Sequence, residues 1–140
     1  MNVFLKKILI KIAVYIIELI IKNNEDVVAN SLLREKQTLF LNDIGKLIEF
    51  SQTLPGYELT AGEMYRPPEM QAIYLSKGLT KVRYSKHTDR LAFDINVFIN
   101  GERRTDKEAY KPLAEFWASL SPENNSGYYW GWDYNHFQRS

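Results

Sequence analysis

The chain has 140 residues, of which 45% are hydrophobic and 25% charged, and its formal net charge is +1. This balance suits a globular core and lacks the strong basic excess that is typical of nucleic-acid-binding domains, so we expect no nucleic-acid partner. Cysteine is absent, which excludes disulfide bridges and thiolate metal sites and leaves His, Asp and Glu as metal ligands.

The first 22 residues are rich in Ile, Leu and Val and carry most of the excess positive charge. Four lysines and Glu18 give this stretch a net charge of +3, which leaves −2 for the remainder of the chain (+1 − 3). At about 100° per residue on a helix, four of these charged side chains fall within an arc of roughly 60°. They are Lys7, Lys11, Glu18 and Lys22. The pattern therefore predicts an apolar helix with one charged stripe.

Three interpretations of this helix remain open. It has about the length of a membrane-spanning helix, roughly 20 residues, which favours a signal sequence or an anchor, although no small-residue cleavage site follows the apolar run. It also fits a helix lying in the membrane interface, or a helix packed against a protein chain. We predict a separate N-terminal region over residues 1–30, made of this helix and a polar connector, with membrane association through residues 1–22 under the first two interpretations.

Residues 31–140 are predicted to form one domain. The apolar spacing predicts a helix over residues 31–54 with Ser31 as its N-cap. A Pro-Gly turn then leads to a strand over residues 57–65 and to a short helix that ends at Gly78.

The second half of this domain continues the alternation. Residues 90–101 are rich in β-branched and aromatic side chains, which predicts a strand that ends in an Asn-Gly turn. A helix is predicted to start near Asp106, and the aromatic stretch over residues 126–140 is predicted to hold the last strand or strands. The order α, β, α, β, α, β predicts an α+β fold with a small antiparallel sheet and flanking helices.

The two histidines of the chain, His87 and His136, both lie near an aspartate in the sequence. Asp94 follows His87 by seven residues inside an apolar strand, where a carboxylate is costly to bury unless it is paired or bound to metal. If the last strand pairs beside the Asp94 strand, His136 becomes a third ligand, and three protein ligands are typical of catalytic zinc. Asp133 would then lie close enough to act as a general base.

The spacing leaves simpler alternatives open for the same residues. A histidine at the surface is the commonest case, and Asp94 could cap a turn or pair with Arg66 or Arg90. Asp133 could be a solvated loop residue. Two histidines and one aspartate do not specify a metal by themselves.

Four segments in this order resemble the family of zinc D-Ala-D-Ala carboxypeptidases and L-alanyl-D-glutamate peptidases (the M15 peptidases), especially its short phage and prophage endolysin branch. They are "TAGEMYRPPEMQ", "SKHTDRLAFD", "PLAEFWASL" and "GWDYNHFQ". The resemblance covers about residues 31–140 and implies the small hedgehog- and DD-peptidase-like fold. It also implies that His87, Asp94 and His136 bind Zn²⁺ and that Asp133 is the general base.

The same resemblance implies roles for side chains around the metal. Arg66 matches the arginine that polarises the scissile carbonyl or binds a substrate carboxylate, tasks that suit a permanently charged, planar guanidinium. Ser85 and Gln71 match positions near the substrate or the ligands. One departure is Gln138, where many members of the family have Glu.

The function implied is zinc-dependent cleavage of the peptides of bacterial peptidoglycan, in the periplasm or cell wall. L-Ala-D-Glu endopeptidases and D-Ala-D-Ala carboxypeptidases share these residues, so the bond that is cut stays open. The alternative is a non-catalytic zinc-containing module that binds wall peptides or a protein and is tethered by the N-terminal helix.

Overall fold

The computed structural model describes residues 2–140, which divide into two units, one ending at Glu35 and the other running from Lys36 to Ser140. Helix α1 (Val3–Ser51) is continuous, so it does not start at the predicted Ser31 N-cap. Residues 22–31 are helical rather than forming the expected connector. The reason is that this stretch contains no Pro or Gly, the residues that most strongly end a helix.

Over residues 2–140, the structure contains no helix that is both long enough and apolar enough to cross a membrane. The predicted spanning anchor in residues 1–22 is therefore not supported. The charged side chains of Lys11 and Glu18 interrupt the apolar run, so no uninterrupted apolar stretch in it reaches the length of a membrane-spanning helix. The other two interpretations of this segment stay predictions.

A small antiparallel sheet organises the second unit, as the sequence predicts. Its strands are β1 (Tyr57–Ala61), β2 (Ala92–Ile99), β3 (Glu102–Arg104), β4 (Asn124–Ser126) and β5 (His136–Arg139). Strand β2 is central, because it pairs with β1 along one edge and with both β3 and β5 along the other. Strand β4 extends the sheet beyond β5. The predicted α+β class with flanking helices is confirmed.

Three further helices connect these strands: α2 (Pro68–Ser76), α3 (Lys107–Leu120) and α4 (Gly127–Trp130). Helix α3 begins where the sequence predicts, because the Asp106 carboxylate accepts a hydrogen bond from the Ala109 amide at 3.2 Å and caps its first turn. The aromatic C-terminal stretch is less regular than predicted. It contains the short helix α4, which ends at Gly131 in the left-handed region (φ 82°).

Alternation along β2 separates the apolar core from the polar face of the sheet. Ile95 and Val97 are buried against the core, whereas Asp94 and Asn96 point to the opposite face and are partly exposed. On the core side, Trp117 of α3 is fully buried. The same strand therefore anchors the hydrophobic core and presents polar side chains to solvent.

An ionic cluster ties the second unit's part of α1 to the end of the chain. Asp43 Oδ2 accepts hydrogen bonds from Arg139 Nη1 at 3.2 Å and Asn124 Nδ2 at 3.0 Å, and the Asp43 and Arg139 side chains are each only 9% exposed. Glu123 Oε2 also lies 3.0 Å from Arg139 Nε, but its side chain is 47% exposed. The Asp43 carboxylate is thus the buried partner of the Arg139 charge.

We expect Asp43→Ala to lower the free energy of unfolding by about 3 kcal/mol, because it leaves a buried guanidinium without its buried partner. Urea denaturation measures this change. Lys46→Ala is the matched control, since it removes an exposed partner of the same carboxylate and should change stability by about 1 kcal/mol or less. Equal losses in the two variants would contradict the assignment.

Candidate metal centre

Two strands and one loop bring the predicted ligands together on the polar face of the sheet, the face that carries Asp94 and Asn96. Asp94 of β2 pairs directly with His136, the first residue of β5, and directly opposed residues in a sheet point to the same face. His87 comes from the loop before β2, where the Ser85 hydroxyl accepts a hydrogen bond from the His87 amide at 3.3 Å. The predicted pairing of the last strand with the Asp94 strand is therefore present.

The three side chains meet at short distances. Asp94 Oδ1 lies 3.0 Å from His136 Nδ1 and 3.2 Å from His87 Nε2. The two imidazole nitrogens are 3.2 Å apart. His87 and His136 are buried, while the Asp94 side chain is 21% exposed. This group could hold a metal ion.

Hydrogen bonds to the outer nitrogens orient both imidazole rings. His87 Nδ1 lies 3.1 Å from the Met64 carbonyl oxygen, which can only accept, so this nitrogen donates. His136 Nε2 lies 3.0 Å from Gln138 Oε1 and donates in the same way. The inner nitrogens, His87 Nε2 and His136 Nδ1, then face the Asp94 carboxylate, where each nitrogen can carry either a proton shared with Asp94 or a metal ion. Three electron-pair donors converging in this way form a site suited to a cation.

The pKa values at the centre show the same preference for positive charge. Burial opposes ionisation of Asp94, but its hydrogen bonds to His136 and His87 lower the pKa to about 2. Burial likewise opposes protonation of His136, yet the Asp94 carboxylate raises the pKa of that imidazole. Asp94 is therefore ionised at neutral pH and attracts a cation to the group.

The chemistry of these donors fits zinc. Imidazole nitrogen and carboxylate oxygen are both common zinc ligands, and three protein ligands leave a fourth position for water or substrate. No thiolate is needed, in keeping with the absence of cysteine from the sequence.

Asp133 lies at the edge of this centre, in the loop that leads into β5. Its Oδ2 atom is 4.0 Å from His136 Nδ1, and its side chain is 40% exposed. Partial burial raises the pKa of the carboxyl, opposed by the charge of His136. A raised pKa makes a carboxylate a better proton acceptor.

The loop that carries Asp133 passes directly against the backbone of Gly127. A Cβ atom at Gly127 would lie only 1.8 Å from the Asp133 carbonyl oxygen. Any other residue at position 127 would therefore force the Asp133 loop to shift. Asp133 itself adopts a left-handed backbone (φ 56°), a conformation that is uncommon outside glycine. The path of the backbone at Asp133 thus depends on the absence of a side chain at Gly127, a residue that the sequence patterns do not single out.

Arg66 lies beside the centre but is firmly held by its neighbours. Its Nε donates to Glu63 Oε1 at 2.7 Å, Nη2 contacts the same oxygen, and Nη1 donates to Gln71 Oε1 at 2.8 Å. Its guanidinium also stacks over the Tyr74 ring at 4.8 Å. Glu63 Oε1 in turn lies 3.8 Å from His87 Nδ1. Glu63 therefore links Arg66 to the ligand group, a contact that the sequence alone does not reveal.

Gln71 and Ser85 contact the surroundings of the centre rather than its donor atoms. Gln71 is buried and joins Arg66 to the Val82 carbonyl oxygen, to which its Nε2 donates at 2.7 Å. Ser85 shapes the turn that carries His87. Roles for these two residues toward a substrate stay predictions, as do the assigned roles of Arg66 and Asp133.

No family model and no curated relative matches this chain. Among solved structures, its fold is similar to the crystal structure of the L-Ala D-Glu endopeptidase ChiX from Serratia marcescens, with a TM-score of 0.60 and 19% sequence identity. The match covers 72% of this chain and 77% of that one. At this level of identity the likeness concerns the fold alone.

Proposed function

We propose that this protein is a zinc-dependent peptidase that cleaves the peptides of bacterial peptidoglycan. The observation that carries the proposal is the convergence of His87 Nε2, His136 Nδ1 and Asp94 Oδ1 on the polar face of the sheet. The fold that it shares with an L-Ala D-Glu endopeptidase supports the same substrate class. So do the four sequence segments that resemble zinc peptidases of the cell wall.

His87, Asp94 and His136 would hold the zinc ion. Bound zinc supplies a Lewis acid that makes water nucleophilic near neutral pH and polarises a carbonyl group. The chain contributes preorganisation, because the Met64 carbonyl and the Gln138 side chain fix the two imidazole rings before metal or substrate arrives.

Asp133 is the proposed general base. Its carboxylate accepts a proton from the attacking water as the water oxygen bonds to the amide carbon. It then returns a proton to the leaving nitrogen as the carbon–nitrogen bond breaks. Its raised pKa and its place at the exposed edge of the ligand group suit both transfers.

Arg66 is the proposed source of positive charge for the developing oxyanion. Contacts with Glu63 and Gln71 engage its Nε, Nη1 and Nη2, yet a guanidinium has five N–H donors. At least two donors therefore remain for a substrate oxygen. Because Glu63, Gln71 and the Tyr74 ring fix the guanidinium, little reorganisation accompanies the reaction.

We expect Gln138→Leu to lower zinc affinity about 10- to 100-fold, because His136 Nε2 loses the acceptor that orients its ring. Competition with a chromophoric zinc chelator measures the affinity. Gln138→Glu is the matched control and should preserve tight binding, since a carboxylate accepts the same hydrogen bond. Unchanged affinity in the leucine variant would show that Gln138 does not orient His136.

The L-Ala-D-Glu bond is the proposed cleavage site, because the protein of similar fold is named for that activity. Digestion of purified peptidoglycan with zinc-loaded protein, followed by mass spectrometry of the products, tests the proposal. We expect peptides that begin with D-Glu. Loss of terminal D-Ala alone would make the protein a carboxypeptidase, and the absence of any product would overturn the peptidase proposal.

The proposed substrate also suggests where the protein acts. Peptidoglycan lies outside the cytoplasmic membrane, so the proposal includes action in the periplasm or cell wall. We propose that the protein acts biologically as a phage or prophage endolysin. Lysis of cells on export of the wild-type protein, and survival with the His87→Ala variant, are the outcomes expected.

A further inference from the structure

A cavity of about 450 Å³ opens next to Asp133. It lies where the edge of β2 changes partners, since β2 pairs with β5 up to Asp94 and with β3 from Val97 onward. Asn96 lies in this interval and lines the cavity together with Arg103 of β3 and the loop over residues 131–135. The cavity therefore lies at the interruption in strand pairing, and Asn96 in its lining is two residues along β2 from the candidate ligand Asp94.

Arg103 lies on the same face of the sheet as the candidate metal ligands. It pairs directly with Phe98, and alternation along β2 places Phe98, Asn96 and Asp94 on one face. Arg103 Nη2 donates to Asn96 Oδ1 at 3.2 Å, so its guanidinium reaches back along the strand toward Asp94.

The charge of Arg103 is not neutralised within the part of the chain that the structure describes. No carboxylate of residues 2–140 lies within ion-pair distance of it. The adjacent Arg104 differs, because it forms two hydrogen bonds with the Asp106 carboxylate, at 2.6 and 2.9 Å. Arg103 thus presents an exposed guanidinium with open N–H donors to the cavity.

We infer that this cavity is a subsite for a carboxylate of the substrate and that Arg103 recognises it. The inference rests on the proposed function and names a feature of the substrate, an acidic residue beside the bond that is cut. A guanidinium binds a carboxylate through two parallel hydrogen bonds, and Asn96 holds one side of the guanidinium in position.

The spacing along β2 indicates which carboxylate would fit. Strands rise about 3.3 Å per residue, so Asn96 lies about 7 Å along the strand from Asp94. This equals about two residues of an extended peptide. The free carboxylate of a D-Glu residue next to the scissile bond lies within that range.

Two peptides that differ only in this carboxylate test the inference. One is a stem peptide with L-Ala-D-Glu, and the other carries the carboxamide in place of the free D-Glu carboxylate. We expect Arg103→Gln to raise KM for the acidic peptide about tenfold, because the substitution removes a charge-assisted hydrogen bond. The kcat value and the KM of the amidated peptide should not change. Arg104→Gln removes the same charge from the neighbouring position and should change neither KM.

Calorimetric binding of both peptides separates failure of the subsite from failure of the proposed function. If the wild-type protein cleaves neither peptide, the peptidase proposal fails, yet Arg103→Gln should still weaken binding of the acidic peptide about tenfold. Equal affinity of wild type and Arg103→Gln for the acidic peptide would overturn the subsite, whether or not cleavage occurs. Thermal denaturation of both variants verifies that they fold.

Discussion

Replacing His87 with alanine is expected to abolish zinc binding and peptidoglycan cleavage while the fold is retained. The substitution removes one of three donors, and Asp94 and His136 alone form an incomplete site. Loss of a partner that only orients a ligand reduces metal affinity about 10- to 100-fold, so loss of a ligand should exceed that range. Metal content after dialysis and release of soluble peptides from peptidoglycan measure the two effects.

The control for this variant is Arg83→Ala, which changes an exposed side chain of the same loop and should leave both properties unchanged. Circular dichroism should give the same spectrum for both variants and the wild-type protein, since the hydrophobic core lies on the other face of the sheet. Full release of peptides by His87→Ala would remove this histidine from the proposed mechanism.

Replacing Asp133 with asparagine is expected to lower kcat about 10²- to 10⁴-fold, the contribution typical of a general base. Zinc content should stay at the wild-type value, because the Asp133 carboxylate lies 4.0 Å from His136 Nδ1 and outside the ligand group. Asparagine has nearly the same shape, so the loop that Gly127 accommodates should keep its path. Single-turnover kinetics with a stem peptide measures the rate.

Glu102→Gln removes an exposed carboxylate from β3 and serves as the control, with turnover expected to match the wild type. If Asp133→Asn also retains that turnover, the base lies elsewhere. Glu63 is then the next carboxylate to test, since its Oε1 is 3.8 Å from His87 Nδ1.

The placement of two of the three candidate ligands could be predicted from the sequence because it depends on strand pairing. An apolar strand around Asp94 and a last strand around His136 are recognisable from their residues, and an antiparallel pair sets them face to face. His87 is different, because it lies in a loop. Its approach to Asp94 depends on the turn at Ser85 and on the Met64 carbonyl, contacts that spacing alone does not reveal.

Other features could not be predicted because they depend on long-range contacts. Arg103 and Arg104 are neighbours in the sequence, and only the register of the three-residue strand β3 distinguishes the one facing the cavity from the one paired with Asp106. The crossing of Gly127 and the Asp133 loop is likewise a tertiary contact. The continuous helix α1 differs from the predicted connector because the polar composition of residues 22–31 indicates a connector, whereas this stretch lacks the Pro and Gly residues that most strongly end a helix.

Cleavage of peptidoglycan is proposed to depend on a zinc ion held by His87, Asp94 and His136. The most direct measurement is mass spectrometry of the peptides released from purified peptidoglycan by the wild-type protein before chelation, after chelation, and after zinc is restored. We expect release to stop on chelation and to recover when one equivalent of zinc is returned. Release that continues unchanged after all metal has been removed would contradict the claim.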